Sequence, residues 1–146
     1  MYKKLISLLI ISGFVFSGFN NNLSGNEWEN WSKNEKGTFL KGFYSSQLTL
    51  NNHLKNAIKY ESAGDPYWQK PFVVVMYEQN LKEFTSVKMG INIDELSGRL
   101  DAFYQDVENK NISIMESIRI ISLRAEGDIE RADWFLLQSR RNAGDN

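Results

Sequence analysis

Residues 113–136, SIMESIRIISLRAEGDIERADWFL, carry the signals of two consecutive helices. Ser113 with Glu116 three residues later forms a capping box, which starts a helix. Gly127 suits the left-handed position that follows a helix end, and Asp128 can cap a second helix. Helical spacing then places apolar residues on one side of each helix: Ile114, Ile118, Ile121 and Ala125, then Ile129, Ala132, Phe135 and Leu136. These patterns predict a helical hairpin at the C-terminus.

A shorter helix is predicted immediately upstream of this hairpin. Asn92 or Asp94 can cap it, and it runs through Tyr104 with Leu96, Leu100 and Phe103 on one face. The polar residues 106–111 (DVENKN) then form a loop that turns the chain into the hairpin.

Another capping box, Ser32 with Glu35, predicts a long helix from Lys33 to Tyr60. Apolar residues recur along it at helical spacing, and a break is expected near residues 49–52. A loop rich in turn residues follows at 62–71.

The run Phe72–Tyr77 (FVVVMY) is β-branched, which favours a strand. The start of a buried helix reaching Phe84 is the alternative, because short apolar runs are ambiguous. The predicted fold is therefore all-α: an irregular bundle of four or five helices, with residues 72–77 as the one candidate extended segment.

The N-terminus has the pattern of an export signal. Lys3 and Lys4 precede the apolar run Leu5–Val15, which is shorter than the roughly 20 residues of a membrane span. We predict a signal peptide at 1–17, with cleavage between 17 and 25, a polar tether at 18–26 and a single helical domain at 27–146. A membrane anchor and a buried helix are the alternatives for the first segment. The protein is then exported, periplasmic or secreted, with no membrane span after cleavage.

Composition excludes several classes of function. The chain has no cysteine, which excludes disulfides, thiolate metal sites and cysteine nucleophiles. The net charge of −1 becomes −3 when the signal, with its two lysines, is removed. Nucleic-acid binding, which depends on phosphate neutralisation, is therefore not expected. Nothing in the sequence indicates a cofactor.

The residues typical of catalysis or metal binding have simpler structural interpretations. His53, the one histidine, lies among polar residues and is expected on the surface. Asp94 and Asp101 share a helix face, which is usually a solvated face rather than a carboxylate pair. Residues 106–111 begin like a calcium loop but carry Lys110 and Asn111 where an oxygen ligand and a glycine are required. The basic residues of the last helix suggest a helix-turn-helix, which export and the acidic charge argue against.

Five residues remain as candidate binding residues. Trp28 and Trp31 flank the Ser32 cap, where Trp31 suits a hydrophobic staple, and tryptophans are also common in binding surfaces. Tyr104, Asp106 and Asn109 lie at the loop before the hairpin, for which we predict a structural role.

Residues 90–127 contain a pattern in which a helix ends in Leu-Asp-x-Phe-Tyr and an Asp-x-x-Asn loop follows; its positions here are Leu100, Asp101, Phe103, Tyr104, Asp106, Asn109 and Ile112. This pattern, with residues 28–44, resembles a group of small exported bacterial proteins, mostly of unknown function. A more distant resemblance is to the helical immunity proteins of type VI secretion amidases, which typically carry disulfide cysteines that this chain lacks. Neither resemblance implies catalytic residues.

The function expected from these observations is a non-enzymatic exported protein that binds another protein, of which an immunity or inhibitor protein is one form. A carboxylate-based hydrolase of the cell envelope and a structural envelope component are the alternatives. A deep acidic pocket would favour the hydrolase, and an exposed apolar patch would favour the binding protein.

Overall fold

The computed structural model of the chain describes residues 23–85 and 92–144. Within these ranges the fold is all-helical, as the sequence predicts, but it contains six α-helices rather than four or five. In chain order they are α1 (Gly25–Asn30), α2 (Lys33–Ser62), α3 (Phe72–Glu83), α4 (Ile93–Tyr104), α5 (Ile114–Glu126) and α6 (Ile129–Gly144), with a 3-10 helix (Val107–Asn109) between α4 and α5. None of the described helices combines the length and apolarity that a bilayer crossing needs.

The predicted C-terminal hairpin is confirmed as the α5–α6 pair. Ser113 Oγ accepts a hydrogen bond from the Glu116 backbone N–H, and Gly127, the left-handed residue with φ 93°, follows the last residue of α5. The backbone N–H of Asp128 donates to Leu123 O (3.0 Å), which closes the end of α5. Ser113 and Gly127 thus fix both ends of α5 by local hydrogen bonding.

Replacing Ser113 by alanine tests this helix start. We expect the free energy of unfolding to fall by about 1 kcal/mol, because the Glu116 N–H loses its side-chain acceptor. The denaturant midpoint would fall while the slope of the transition stays the same. An unchanged midpoint would mean that the cap contributes nothing to stability.

The long helix α2 begins at its predicted cap, Ser32, and runs without a break to Ser62. The predicted interruption at residues 49–52 is wrong. The Thr and Asn residues there cost a few tenths of a kcal/mol each in a helix, which is too little to end one that contains no proline. Its two buried residues, Leu40 and Tyr44, lie in the first half of α2, so the second half extends along the surface.

Residues 72–77 form the start of α3, and the strand prediction is wrong. Pro71 stands at the helix N-terminus, where its fixed φ is compatible with the first turn. The valines cost a helix less than 1 kcal/mol each, and the described residues contain no strand for them to pair with. The alternative of a helix that reaches Phe84 is confirmed, since the helix runs to Glu83 with Phe84 as its C-cap, but only Val74 of the run 72–77 is buried.

The C-terminal end of α3 is joined to α2 through Tyr44. Its hydroxyl donates to Phe84 O (3.1 Å), and the neighbouring Phe43 ring lies 6.2 Å from the Phe84 ring, edge to face. Burial raises the pKa of Tyr44 to about 12. The phenol therefore remains a protonated donor throughout the physiological pH range.

The domain begins earlier than the sequence predicts. Ser24 caps α1, and its backbone N–H and hydroxyl donate to Glu27, which lowers the pKa of that carboxyl. Ile114 N donates to Leu23 O (2.8 Å), which joins this segment to the start of α5. Residues 24–26 therefore belong to the packed domain rather than to the predicted tether. The predicted signal peptide at 1–17 lies outside the described residues.

The hydrophobic core lies where α1, α2, α4 and α5 meet, with α6 covering the other side of α5. Its fully buried apolar side chains on these helices and the loop before α5 are Trp28, Leu40, Leu96, Leu100, Tyr104, Ile112, Ile114, Ile118, Ile120 and Ala132. The predicted candidate binding residues lie close to this core, and this position limits the contacts that they can make with a partner.

Candidate functional site

Trp28 is a core residue whose one polar atom is satisfied. Its ring is completely buried, and Nε1 donates to Asp101 Oδ1 (2.8 Å) on α4. Lys36 Nζ donates to the same oxygen (2.8 Å) and lies 5.2 Å from the centre of the indole ring. Trp28 therefore ties α1 to α2 and α4 and is not available to a partner.

Tyr104 is also buried, at the junction of α1, α4 and α5. Its hydroxyl donates to Ile112 O (3.2 Å) and accepts a hydrogen bond from Ser117 Oγ (2.9 Å). Burial raises the pKa of Tyr104 well above its usual value, so the hydroxyl keeps its proton. Gly25 lies against the ring so closely that a Cβ at that position would be 2.3 Å from Tyr104 Cδ1.

Asn109 and Asp106 organise the loop before the hairpin. The buried Asn109 side chain donates from Nδ2 to Phe103 O (2.8 Å) at the end of α4. Asp106 Oδ1 accepts from Glu108 N (3.0 Å) and so caps the 3-10 helix. Arg140 of α6 then donates to Asn109 Oδ1 (2.9 Å) and forms ion pairs with Asp106 and Glu108. Arg140 thus contacts three side chains of the loop, and the carboxylates of Asp106 and Glu108 face that cation.

Replacing Asn109 by alanine should lower the free energy of unfolding by about 1–3 kcal/mol, because Phe103 O loses its buried donor. The loss of stability should be equal in calcium and in a chelator, since the acidic side chains of the loop are already ion-paired with Arg140. Thermal unfolding of both proteins in both buffers measures this. Calcium stabilisation of the wild type alone would instead identify the loop as a metal site.

Three of the five predicted binding residues lie in the interior of the domain. Trp28, Tyr104 and Asn109 are buried, and Asp106 is paired with Arg140. Trp31 is half-buried and packs between the Trp28 ring (5.8 Å) and the Phe39 ring (5.2 Å). The predicted hydrophobic staple is therefore not formed, because Phe39 lies further along α2 than the residue against which a staple packs. We assign these side chains to the stability of the domain.

Asp94 and Asp101, which share a face of α4, line a polar groove. Asp94 and Asp101 face Lys33 and Lys36 across a space of about 340 Å³ between α2 and α4. Lys36 bonds Asp101, and Lys33 Nζ lies 4.0 Å from Asp94 Oδ1. Both carboxylates thus face ammonium groups, an arrangement typical of ion pairing between helices.

The remaining candidate residues also lie on the surface. His53 is exposed on the second half of α2, as predicted. Among the described residues, no three or more His, Asp or Glu side chains are grouped closely enough to hold a metal ion. Two arginines of the suggested helix-turn-helix are ion-paired: Arg131 with Glu83 and Asp128, and Arg140 with the loop.

An exposed apolar surface lies at the start of α3. We call it the α3 patch: Tyr67 in the loop before the helix, and Phe72, Val73 and Met76 on the helix. Tyr67 is 89% exposed and Phe72 is 76% exposed. Helical spacing places residues 72, 73 and 76 on one face, away from the buried Val74.

The α3 patch is held by polar contacts at both ends. Tyr67 N donates to Asp65 Oδ1 (2.9 Å), and Lys70 Nζ pairs with Glu78 (2.9 Å), which fixes the loop against the helix. At the far end of α3, the buried Glu83 forms ion pairs with Arg119 of α5 and Arg131 of α6. The exposed apolar face is therefore presented by an anchored helix.

Sequence reasoning missed this patch because it assigned the run from Phe72 to the interior. Pro71, directly before the run, indicates that a helix begins at Phe72, since proline favours a helix N-terminus, but it does not indicate which face of that helix is exposed. Comparisons with protein-family models, curated proteins and solved structures give no match to this chain. The function is therefore inferred from the residues of the chain itself.

Proposed function

We propose that this chain is a non-enzymatic, exported protein that binds another protein through the α3 patch. The observation that carries the proposal is the exposure of Phe72, Val73 and Met76 on one face of α3, with the exposed ring of Tyr67 in the loop before that helix. Aromatic residues and methionine are enriched in protein interfaces. Large exposed apolar side chains that occur together on one surface are typical of a binding site.

A protein is a better partner for this patch than a nucleic acid or an anionic membrane. Lys70, the cation nearest to the patch in sequence, is paired with Glu78. The whole chain carries a formal charge of −1, so it has no excess of positive charge to attract phosphate. Exposed aromatic side chains and methionine are instead typical of the centre of a protein interface.

An inhibitor or immunity protein is the specific form that we favour. The more distant resemblance to exported immunity proteins supports it, and the partner would then be an enzyme that acts on the cell envelope. Such a partner would bind the α3 patch without any catalytic contribution from this chain. The identity of the bound protein distinguishes this form from a structural envelope component.

Site-specific photo-crosslinking in the host tests the proposal. A photoreactive phenylalanine analogue at position 72 is expected to give an adduct heavier than the chain, and the same analogue at the exposed Thr38 on α2 is the control. Phe72→Asp should abolish binding of the captured protein in a purified assay. Its stability should change by no more than about 0.5 kcal/mol, because the side chain is exposed. Equal adducts at positions 72 and 38, or no adduct at 72, would contradict the proposal.

Export is a separate prediction. We expect the protein isolated from its host to begin after residue 17, or at a site no later than residue 25, because of the Lys3–Lys4 start and the short apolar run. Mass spectrometry of the N-terminal peptide measures this. A membrane-bound protein that retains Met1 would show that the segment is an anchor.

A further inference from the structure

The outer face of α6 carries a stripe of four exposed residues, one of which, Trp134, contacts the ring of its neighbour Phe135 (4.8 Å between ring centroids). Glu130, Trp134, Leu137 and Arg141 follow one another at spacings of four, three and four residues, which places them on one side of the helix. The opposite side, with the buried Ala132 and Ser139, packs against α5. We call these four residues the α6 stripe.

Two large apolar side chains form the centre of the α6 stripe. Trp134 is 56% exposed and Leu137 is 63% exposed, whereas their neighbours Phe135 and Leu136 pack against the core. Tryptophan is the residue type that most often dominates the affinity of an interface when a partner covers it. The centre of the stripe is therefore suited to burial against another surface.

The charges at the ends of the stripe have opposite signs. Glu130 lies at one end and Arg141 at the other, and both are exposed. No ion pair to either is found within residues 23–85 and 92–144. Asp133, which flanks the stripe, is already neutralised by Arg124 (2.7 Å). The free charges beside the apolar centre are thus one anion and one cation.

These four residues are arranged so that the stripe complements itself. The midpoint between Phe135 and Leu136 is equally far along the chain from Trp134 and Leu137, and equally far from Glu130 and Arg141. A second α6, laid antiparallel about that midpoint, places its Leu137 against Trp134 and its Arg141 against Glu130. Each contact then occurs twice, as the twofold symmetry of an isologous dimer requires.

We propose that the α6 stripe is the contact surface of a homodimer in which the two α6 helices pack antiparallel. The spacing of the stripe is that of a two-helix seam. Antiparallel helices also place opposite ends of their dipoles side by side. The residues involved are separate from the α3 patch, so each copy in the dimer keeps its own α3 patch, and neither proposal depends on the other.

Because a single pair of helices forms the contact, the dimer should be weak and reversible. Stable interfaces bury about 1,200–2,000 Å², more than one short helix pair provides. Sedimentation velocity of the protein, purified in the form that its host accumulates, should therefore show a monomer–dimer equilibrium between roughly 10 μM and 1 mM. Trp134→Ala should raise the dissociation constant of the dimer about thirtyfold or more. Each dimer contains the contact between Trp134 and Leu137 twice, so the substitution removes it at both places.

Charge exchange tests the antiparallel register. Glu130→Arg and Arg141→Glu, made separately, should each weaken the dimer about threefold to tenfold, since each puts like charges together at two places. The double variant should restore the wild-type dissociation constant. Glu95→Arg, the same change of charge on α4, is the control and should leave the equilibrium unaltered. A protein that stays monomeric at every concentration, a dimer insensitive to Trp134→Ala, or a double variant that is not restored would overturn the proposal.

Discussion

Replacing Trp28 by alanine is expected to lower the free energy of unfolding by about 3–5 kcal/mol, the usual cost of removing a large buried aromatic side chain. The indole is fully buried and packs against the Trp31 ring. Its loss also deprives Asp101 of the donor Nε1 and Lys36 of the ring below its ammonium group. A domain of this kind has roughly 5–15 kcal/mol of stability in total, so the variant loses a large part of it.

Denaturant unfolding of Trp28→Ala and Trp31→Ala measures this effect against a matched control. Trp31 is the same residue type three positions away, but it is only half-buried, and its ring nitrogen forms no hydrogen bond to α4 like that of Trp28. We therefore expect a smaller loss for Trp31→Ala. Equal losses for the two variants would mean that the contact with α4 does not contribute to stability.

The helix ends that the sequence predicts correctly depend on contacts between residues close together in the chain. Ser32 and Ser113 each bond a backbone N–H three residues later, and Asn92 does the same for Glu95. Such signals are visible in the sequence because both partners lie in the same turn. Ser24 with Glu27 is a further example, and its capping box was the available signal for α1.

Contacts between distant parts of the chain could not be predicted in this way. The bond from Trp28 to Asp101 joins residues on α1 and α4, and the ion pair of Glu83 with Arg131 joins α3 to α6. Nothing local distinguishes these side chains from solvated ones. The same limitation explains the α3 patch: the apolarity of Phe72 is visible in the sequence, but its exposure is decided by which face of α3 meets α5.

Replacing Gly25 by alanine should also destabilise the domain strongly. The added Cβ would lie 2.3 Å and 2.6 Å from two carbons of the Tyr104 ring, and 2.9 Å from the backbone oxygen of Lys110. Tyr104 cannot move aside easily, because its hydroxyl is bonded to Ile112 O and Ser117 Oγ in the core. Overpacking of this kind costs about 1–3 kcal/mol and sometimes more.

Gly37→Ala is the matched control, since it makes the same chemical change at a helical glycine with open space around it. A Cβ at Gly37 would have no neighbour within 4 Å, so only the helix propensity of α2 changes. Alanine is favoured over glycine there by about 1 kcal/mol, and the control should therefore be more stable than the wild type. Thermal or denaturant unfolding should thus move in opposite directions for the two variants. A stabilised Gly25→Ala variant would show that α1 does not pack against Tyr104 as closely as the structure places it.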